Sequence, residues 1–106
     1  MSVIVTLRLK ADASKLEAWA HANPEAMAGI LEQAKQHGAI AHRFYGNDGD
    51  DLMVLDEWPD AESFHAFFGS TQDAIGPMMA AGDAQGEPEV NFWHELDTHD
   101  RLGWGA

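Results

Sequence analysis

The stretch Asp51–Phe68 limits the possible folds of this chain more than any other segment. It opens with the continuous apolar run Leu52–Leu55, which is typical of a strand that is covered on both faces. Pro59 ends the strand because proline has no backbone N–H to donate to a sheet, and Asp60 then suits a helix N-cap. Three rings follow at the i, i+3 and i+4 positions of one helical stripe: Phe64, Phe67 and Phe68. The stretch predicts a strand that leads directly into an aromatic helix.

Composition indicates one small globular domain with an acidic surface. The chain has 106 residues, 45% of them hydrophobic, and its 18 acidic against 6 basic residues give a net charge of −12. Nucleic acids and anionic membrane surfaces both require clustered Lys and Arg, and the six basic residues are scattered. We therefore expect neither nucleic acid nor a membrane as a partner.

The chain contains no cysteine, which excludes thiol nucleophiles, disulfides and thiolate metal sites. The N-terminal residues lack the basic region, apolar run and cleavage site of a signal peptide, and no apolar run reaches the length of a membrane span. These features predict a cytoplasmic protein. We expect residues 1–98 to form the domain and residues 99–106 to form a polar tail, which is partly mobile unless Leu102 and Trp104 dock on something.

The remaining elements follow from periodicity and from helix and turn signals. Val3–Lys10 alternates as a strand, Ser14 opens a capping box with Glu17, and Asn23-Pro24 separates that first helix from a second helix over 24–37. Further strands are predicted over 39–45, 52–58 and 90–96, a hairpin loop over 46–50, and helices over 60–70 and 71–82.

The resulting order of strand, helix, strand, strand, helix and strand is that of the ferredoxin-like α+β fold. In this fold an antiparallel sheet carries its helices on one face. Yet the third strand is apolar on both faces, and Ile4 and Trp93 add apolar surface on the side away from the helices. Soluble monomers seldom expose such a face. We therefore predict a homodimer in which two sheets pack face to face to form an α+β barrel.

Two segments resemble the dimeric α+β-barrel superfamily, and in particular its antibiotic-biosynthesis-monooxygenase-type domains. They are Leu55–Trp58 with the helix over 61–68, and the strand over 90–96. Members of that superfamily include cofactor-independent oxygenases acting on phenolic polycycles, haem-degrading oxygenases and lactone isomerases. The resemblance implies a ligand cavity between the helices and the sheet.

The haem-degrading branch does not match. It uses an Asn on the first strand and a His on the helix beyond the aromatic segment, but Val3–Lys10 has no Asn and no His lies between Phe68 and Trp93. The acidic run over 47–51 lacks the length and closing Glu of a calcium loop and is typical of a hairpin. We therefore predict no cofactor and no metal.

Three histidines are the candidate catalytic residues. His42 and His94 are each the lone polar residue on an otherwise apolar strand face, where an imidazole costs free energy unless it is hydrogen-bonded. His65 lies at the edge of the aromatic stripe. Each could act as a general base or orient a ligand, since His titrates near neutral pH. The alternative is that all three are structural, with His42 and His94 paired in the interior.

Four further residues are candidates for substrate binding. Trp58, Trp93 and Tyr45 offer aromatic surface on which a flat molecule could stack, and Trp58 stands at a strand end, where a cavity mouth often lies. Arg43 could hold a carboxylate or phenolate through its guanidinium. The alternatives are ordinary core packing for the rings and a cross-strand ion pair for Arg43.

Three functions are compatible with these features. The first is a cofactor-independent monooxygenase or isomerase that binds a small aromatic or polyketide-like molecule and uses a His as a proton acceptor. It predicts a cavity of a few hundred cubic ångströms lined by at least one of the three histidines. The second is a non-catalytic ligand-binding dimer, and the third is a structural dimer without a pocket.

Overall fold

The fold comprises four strands and four helices. A computed structural model describes residues 1–104. In chain order the elements are β1 (Val3–Lys10), α1 (Ala13–Ala22), α2 (Pro24–Gln36), β2 (Ala41–Gly46), β3 (Asp51–Trp58), α3 (Ala61–Ser70), α4 (Gln72–Ala81) and β4 (Gln85–Trp93). This is the predicted order, with each helical region divided into two helices.

The four strands form one antiparallel sheet in the order β2-β3-β1-β4. The first and third strands lie in the centre, and the second and fourth are the two edges. The predicted ferredoxin-like α+β fold is thereby confirmed. Residues that pair across neighbouring strands share a face of the sheet. Leu7 pairs with Val54 of β3 and with Val90 of β4, so these three side chains lie on the same face.

One face of the sheet, here called the inner face, packs on the helices. Val5, Leu7 and Leu9 of β1 belong to a single buried cluster that also holds residues of all four helices. The helical members of that cluster are Leu16, Ala34, Phe64, Phe67, Ile75 and Met78. The predicted aromatic stripe of α3 therefore supplies part of the core.

The opposite face, here called the outer face, carries the alternate residues of each strand. Its central residues are Ile4 and Thr6 of β1 and Met53, Leu55 and Glu57 of β3. Each of these five is partly exposed, whereas the inner-face residues of the same strands, apart from Val3 at the start of β1, are buried. The single chain therefore leaves an apolar sheet surface without a helical cover.

Several boundaries match the sequence patterns. Asn23 separates α1 from α2, with its side-chain amide donating to the Trp19 carbonyl at 2.9 Å. Asp60 is the N-cap of α3, because its carboxylate accepts from the backbone N–H of Ser63 at 2.7 Å. Gly82 caps the C-terminus of α4, as predicted.

Several predicted boundaries are wrong, including the start of β2, which is Ala41 and not residue 39. The N-cap of α1 is Asp12 and not Ser14, since Asp12 accepts from the backbone N–H of Lys15 while Ser14 donates its hydroxyl to the same carboxylate. The last strand runs from Gln85 to Trp93, so His94 lies beyond its end. The strand includes Pro88, which a sheet tolerates because β4 is an edge.

Beyond Trp93 the described residues form neither helix nor strand, and the predicted domain limit at residue 98 stays a prediction. The last two residues of the predicted tail, Gly105 and Ala106, lie outside the described residues. Over residues 1–104, none of the helices combines the length and the apolar character needed to cross a membrane.

Candidate functional site

The pairing of β2 with β3 places His42 directly opposite Asp56 on the inner face. His42 Nδ1 and Asp56 Oδ1 are 2.6 Å apart. A carboxylate oxygen only accepts, so Nδ1 carries the proton and donates it. In the neutral imidazole, this contact selects the tautomer with the hydrogen on Nδ1 and none on Nε2.

Asp56 is almost fully buried and serves two donors. Its second oxygen, Oδ2, accepts from the indole N–H of Trp58 at 3.1 Å. Both oxygens are therefore engaged, and the side chain of Asp56 is only 8% exposed against 31% for His42. Asp56 holds one side of the imidazole in the interior while the ring keeps partial access to solvent.

Trp58 is completely buried. Its ring contacts Phe67 at a centroid distance of 5.3 Å and Phe64 edge-on at 5.9 Å. The structure gives Trp58 a role in the core and in anchoring Asp56. Its predicted role as a stacking surface for a ligand stays a prediction.

The other two candidate histidines lie elsewhere. His65 is exposed on α3, with its ring 5.7 Å from Phe64 and 5.2 Å from Phe92. His94 is exposed and follows the last residue of β4, on the opposite edge of the sheet from His42. The three histidines therefore do not form one catalytic group within a single chain.

The remaining predicted binding residues follow the alternation of their strands. Arg43 pairs with Leu55, and Trp93 pairs with Ile4, so both belong to the outer face. The indole N–H of Trp93 donates to the Thr6 hydroxyl at 2.8 Å, and the residue is 54% exposed. Arg43 is exposed as well.

A groove of about 450 Å³ lies between α1, the start of α2 and the end of β2. We call it the α1–β2 groove. Six apolar residues line it, together with Gly46 and four polar residues. The apolar ones are Ala13, Leu16, Ala20, Met27, Phe44 and Leu52, and the polar ones are Ser14, Glu17, Tyr45 and Asn47.

The groove and the His42–Asp56 pair adjoin each other at Phe44. Phe44 lines the groove, and its ring meets the His42 ring edge-on at a centroid distance of 4.9 Å. Of the predicted site residues, Tyr45 lines the groove, whereas none of the three histidines does. A ligand in the groove would therefore lie next to His42 but separated from it by one phenyl ring.

The backbone of β2 comes very close to α1 where both line the groove. A Cβ atom added to Gly46 would lie 2.8 Å from the Cβ of Ala13. That separation is shorter than van der Waals contact allows, so only glycine lets the end of β2 come this near to α1.

Sequence reasoning missed two parts of this region. The first is Asp56, which is not among the predicted site residues; it and its neighbour Glu57 point to opposite faces of β3. The signal that identifies it is the same as for His42: a lone polar residue among the apolar inner-face positions of its strand. The groove, by contrast, depends on how α1 meets the β2–β3 hairpin, which no local pattern in the sequence reports.

Neighbouring charges are held in ion pairs at the surface. Lys10 Nζ lies 2.9 Å from Asp51 Oδ1, and this contact lowers the pKa of Asp51 below its ordinary value. Lys15 Nζ lies 2.6 Å from Asp83 Oδ2, which raises the pKa of Lys15. Among residues 1–104, no group of three His, Asp or Glu side chains is placed to hold a metal ion.

Solved structures share this architecture at low sequence identity. SnoaB from Streptomyces nogalater, a cofactor-independent oxygenase, superposes with a TM-score of 0.59 at 15% identity over 92% of this chain and 95% of that protein. An antibiotic biosynthesis monooxygenase gives 0.61 at 10% identity, over 91% and 99%. A dimeric ferredoxin-like protein from an uncultured marine organism gives 0.60 at 15% identity, over 90% and 97%.

No protein-family model matches the sequence, and neither does any curated protein sequence. The structural likeness confirms the ferredoxin-like α+β fold of this chain. At these identities the likeness carries the fold alone, and activity has to be argued from the site.

Proposed function

We propose that this protein is a homodimer that binds a small aromatic or polyketide-like molecule in the α1–β2 groove. We further propose that it acts on this molecule as a cofactor-independent monooxygenase, with His42 as the proton acceptor. The observation that carries the proposal is the 2.6 Å contact between His42 and the buried Asp56, beside an apolar groove.

Asp56 gives His42 the fixed geometry that a general base needs. It holds the ring orientation through Nδ1, so that Nε2 is the nitrogen free to meet a substrate atom. His42 also remains partly exposed, so a substrate atom can approach it. His65 and His94 have no such buried partner among the contacts of residues 1–104, which is why the proposal singles out His42.

The groove supports the binding part of the proposal. Its volume lies in the range typical of small-molecule sites, and apolar side chains with a few polar groups form its walls. Because Phe44 and His42 are two residues apart on the same strand face, their Cα atoms are separated by roughly 7 Å. A movement of the Phe44 ring would bring a bound ring system against the imidazole.

The reaction balances with molecular oxygen as the only co-substrate. His42 takes a proton from an activated CH₂ group flanked by aromatic rings, and the resulting carbanion is electron-rich enough to reduce O₂. One oxygen atom becomes the carbonyl of a quinone-type product. The other leaves as water with the two hydrogens of the CH₂ group.

The outer face supports the homodimer. Ile4, Met53 and Leu55 form an apolar strip at its centre, and Trp93 adds a ring that is 54% exposed. The segment after β4 adds three more exposed apolar residues: Leu96, Leu102 and Trp104. A second copy of the sheet related by a twofold axis would cover this surface. Analytical ultracentrifugation at micromolar concentration should give a dimer, and a stable monomer would contradict this part.

Activity is tested with hydroxylated anthrones, with quinone absorbance as the readout. We expect His42→Ala and His42→Gln to lower the rate by about 100-fold or more, since general acid–base catalysis contributes about 10²–10⁴-fold. His65→Ala and His94→Ala are the matched controls and should retain the wild-type rate. Equal activity in all four variants would remove His42 from the mechanism.

A second function is favoured by one observation. None of the three histidines lines the groove, so the site can bind a ligand without acting on it. In that case the protein is a non-catalytic ligand-binding dimer. Saturable binding of an anthrone without oxygen consumption under air would select this alternative.

A further inference from the structure

Glu17 is the one charged residue among those that line the α1–β2 groove. It lies on the exposed side of α1, one turn before Ala20 and next to Leu16, which both line the same groove. The polar residues that accompany it are uncharged: Ser14, Tyr45 and Asn47. The groove therefore combines an apolar wall with a single negatively charged residue, Glu17.

The nearby basic side chains do not offset that charge. Lys15 reaches away to Asp83, and Lys10 reaches to Asp51. Arg8 lines an adjoining groove of about 250 Å³, which shares Tyr45, Gly46, Asn47 and Leu52 with the α1–β2 groove and also contains Asp51. Within residues 1–104, no lysine or arginine contributes to the wall of the α1–β2 groove.

The surroundings reinforce the negative potential. Asn47 opens the β2–β3 hairpin loop, which continues with Asp48 and Asp50, and the whole chain carries a net charge of −12. A concave surface with charges of one sign raises the local concentration of ligands of the opposite sign and repels the others. Carboxylates and phosphates are therefore disfavoured in this groove.

We propose that the α1–β2 groove selects amphiphilic amines, in which a ring or alkyl body lies against the apolar wall and a protonated amino group pairs with Glu17. Phe44 lines the groove from the inner face of β2, and aromatic faces also attract an organic cation. This inference rests on the proposed function, because it requires the groove to be a ligand site. It adds the charge of the ligand, which the proposed function leaves open.

The test compares three ligands that share a naphthalene ring and differ in charge: naphthylmethylamine, naphthylmethanol and naphthoate. Isothermal titration at pH 7 and low salt should rank the amine first, the alcohol second and the carboxylate last. We expect the amine to bind about fivefold more tightly than the alcohol, as for one charge pair at about 4 Å in water. The ranking should flatten at 0.5 M salt, where screening is strong.

Glu17→Gln should reduce the preference for the amine over the alcohol to about twofold or less, because only the distant hairpin charges remain. Glu32→Gln is the matched control: it removes the same charge from an exposed helix position that does not line the groove, and should keep the full preference. Thermal unfolding of both variants verifies that they fold.

The outcomes separate the two proposals. If the alcohol or the carboxylate binds at least as tightly as the amine, or if Glu17→Gln keeps the preference, amine selection is overturned while the groove remains a ligand site. If none of the three ligands binds at millimolar concentration, the ligand-binding function itself is overturned.

Discussion

The two edge strands, β2 and β4, share a sequence pattern, but the histidine of that pattern has different surroundings at each edge. In both, a histidine alternates with apolar residues: His42 with Ile40 and Phe44, and His94 with Val90 and Phe92. At the β2 edge, the register with β3 brings Asp56 to the imidazole. At the β4 edge, the strand ends at Trp93 and the histidine faces solvent. A lone polar residue thus becomes part of a site only where a neighbouring strand supplies its partner.

Removing the β3 carboxylate that holds His42 of the β2 edge should give the largest effect. Asp56→Ala leaves the buried indole N–H of Trp58 without an acceptor and releases His42. One unsatisfied buried donor costs about 1–3 kcal/mol, so we expect the free energy of unfolding to fall by about 2 kcal/mol or more in urea denaturation. Asp97→Ala is the control, since Asp97 is exposed beyond β4, and it should change stability by less than about 0.5 kcal/mol. Equal effects of the two substitutions would contradict the comparison.

The difference between the two edges also shows which features the sequence could predict and which it could not. Strand alternation in β1, the aromatic stripe of α3 and the break at Asn23 are local signals, and they led to the correct element order and fold. The contact of His42 with Asp56 joins residues 14 apart in sequence, and it depends on a register that strand patterns do not specify. The end of β4 was misplaced because alternation continued into residues that have no strand to pair with.

Two glycines, Gly46 in β2 and Gly86 in β4, allow a second comparison of the two edges, with expected effects of intermediate size. Gly46→Ala places a methyl group 2.8 Å from the Ala13 Cβ and should separate β2 from α1, at a cost of about 1–3 kcal/mol for overpacking. Gly86→Ala meets no atom within 4 Å but has φ +74, so its cost is conformational, about 1–2 kcal/mol.

Ligand binding distinguishes the two glycine variants more sharply than stability does. Gly46 lines the α1–β2 groove and Gly86 does not. Naphthylmethanol affinity should fall in Gly46→Ala and stay at the wild-type value in Gly86→Ala. Wild-type affinity in Gly46→Ala would indicate that the ligand binds outside the groove.

A smaller effect is expected for the hydrogen bond across the β4 edge. Trp93→Phe removes the indole N–H that donates to the Thr6 hydroxyl, and water can then replace the lost donor because the site is exposed. The unfolding free energy of the isolated subunit should change by about 0.5–1 kcal/mol at most, because an exposed hydrogen bond is replaced by solvent. If the outer face is the dimer interface, the dimer dissociation constant should rise more than subunit stability falls. Sedimentation and urea denaturation of the same variant measure the two quantities.

The smallest predicted effect concerns the ion pair between Lys10 and Asp51, at the junction of β1 and β3 beside the groove. Lys10 lowers the pKa of Asp51 below the ordinary value of 3.8. The folded state therefore gains stability from this pair above pH 3.8, and loses it as the pH falls through the lower folded-state pKa. The difference in stability between wild type and Lys10→Met should thus be present at pH 7 and vanish in acid. Lys35→Met removes an equal charge from an exposed site on α2 and should show no such dependence; a parallel pH profile for both variants would contradict the assignment.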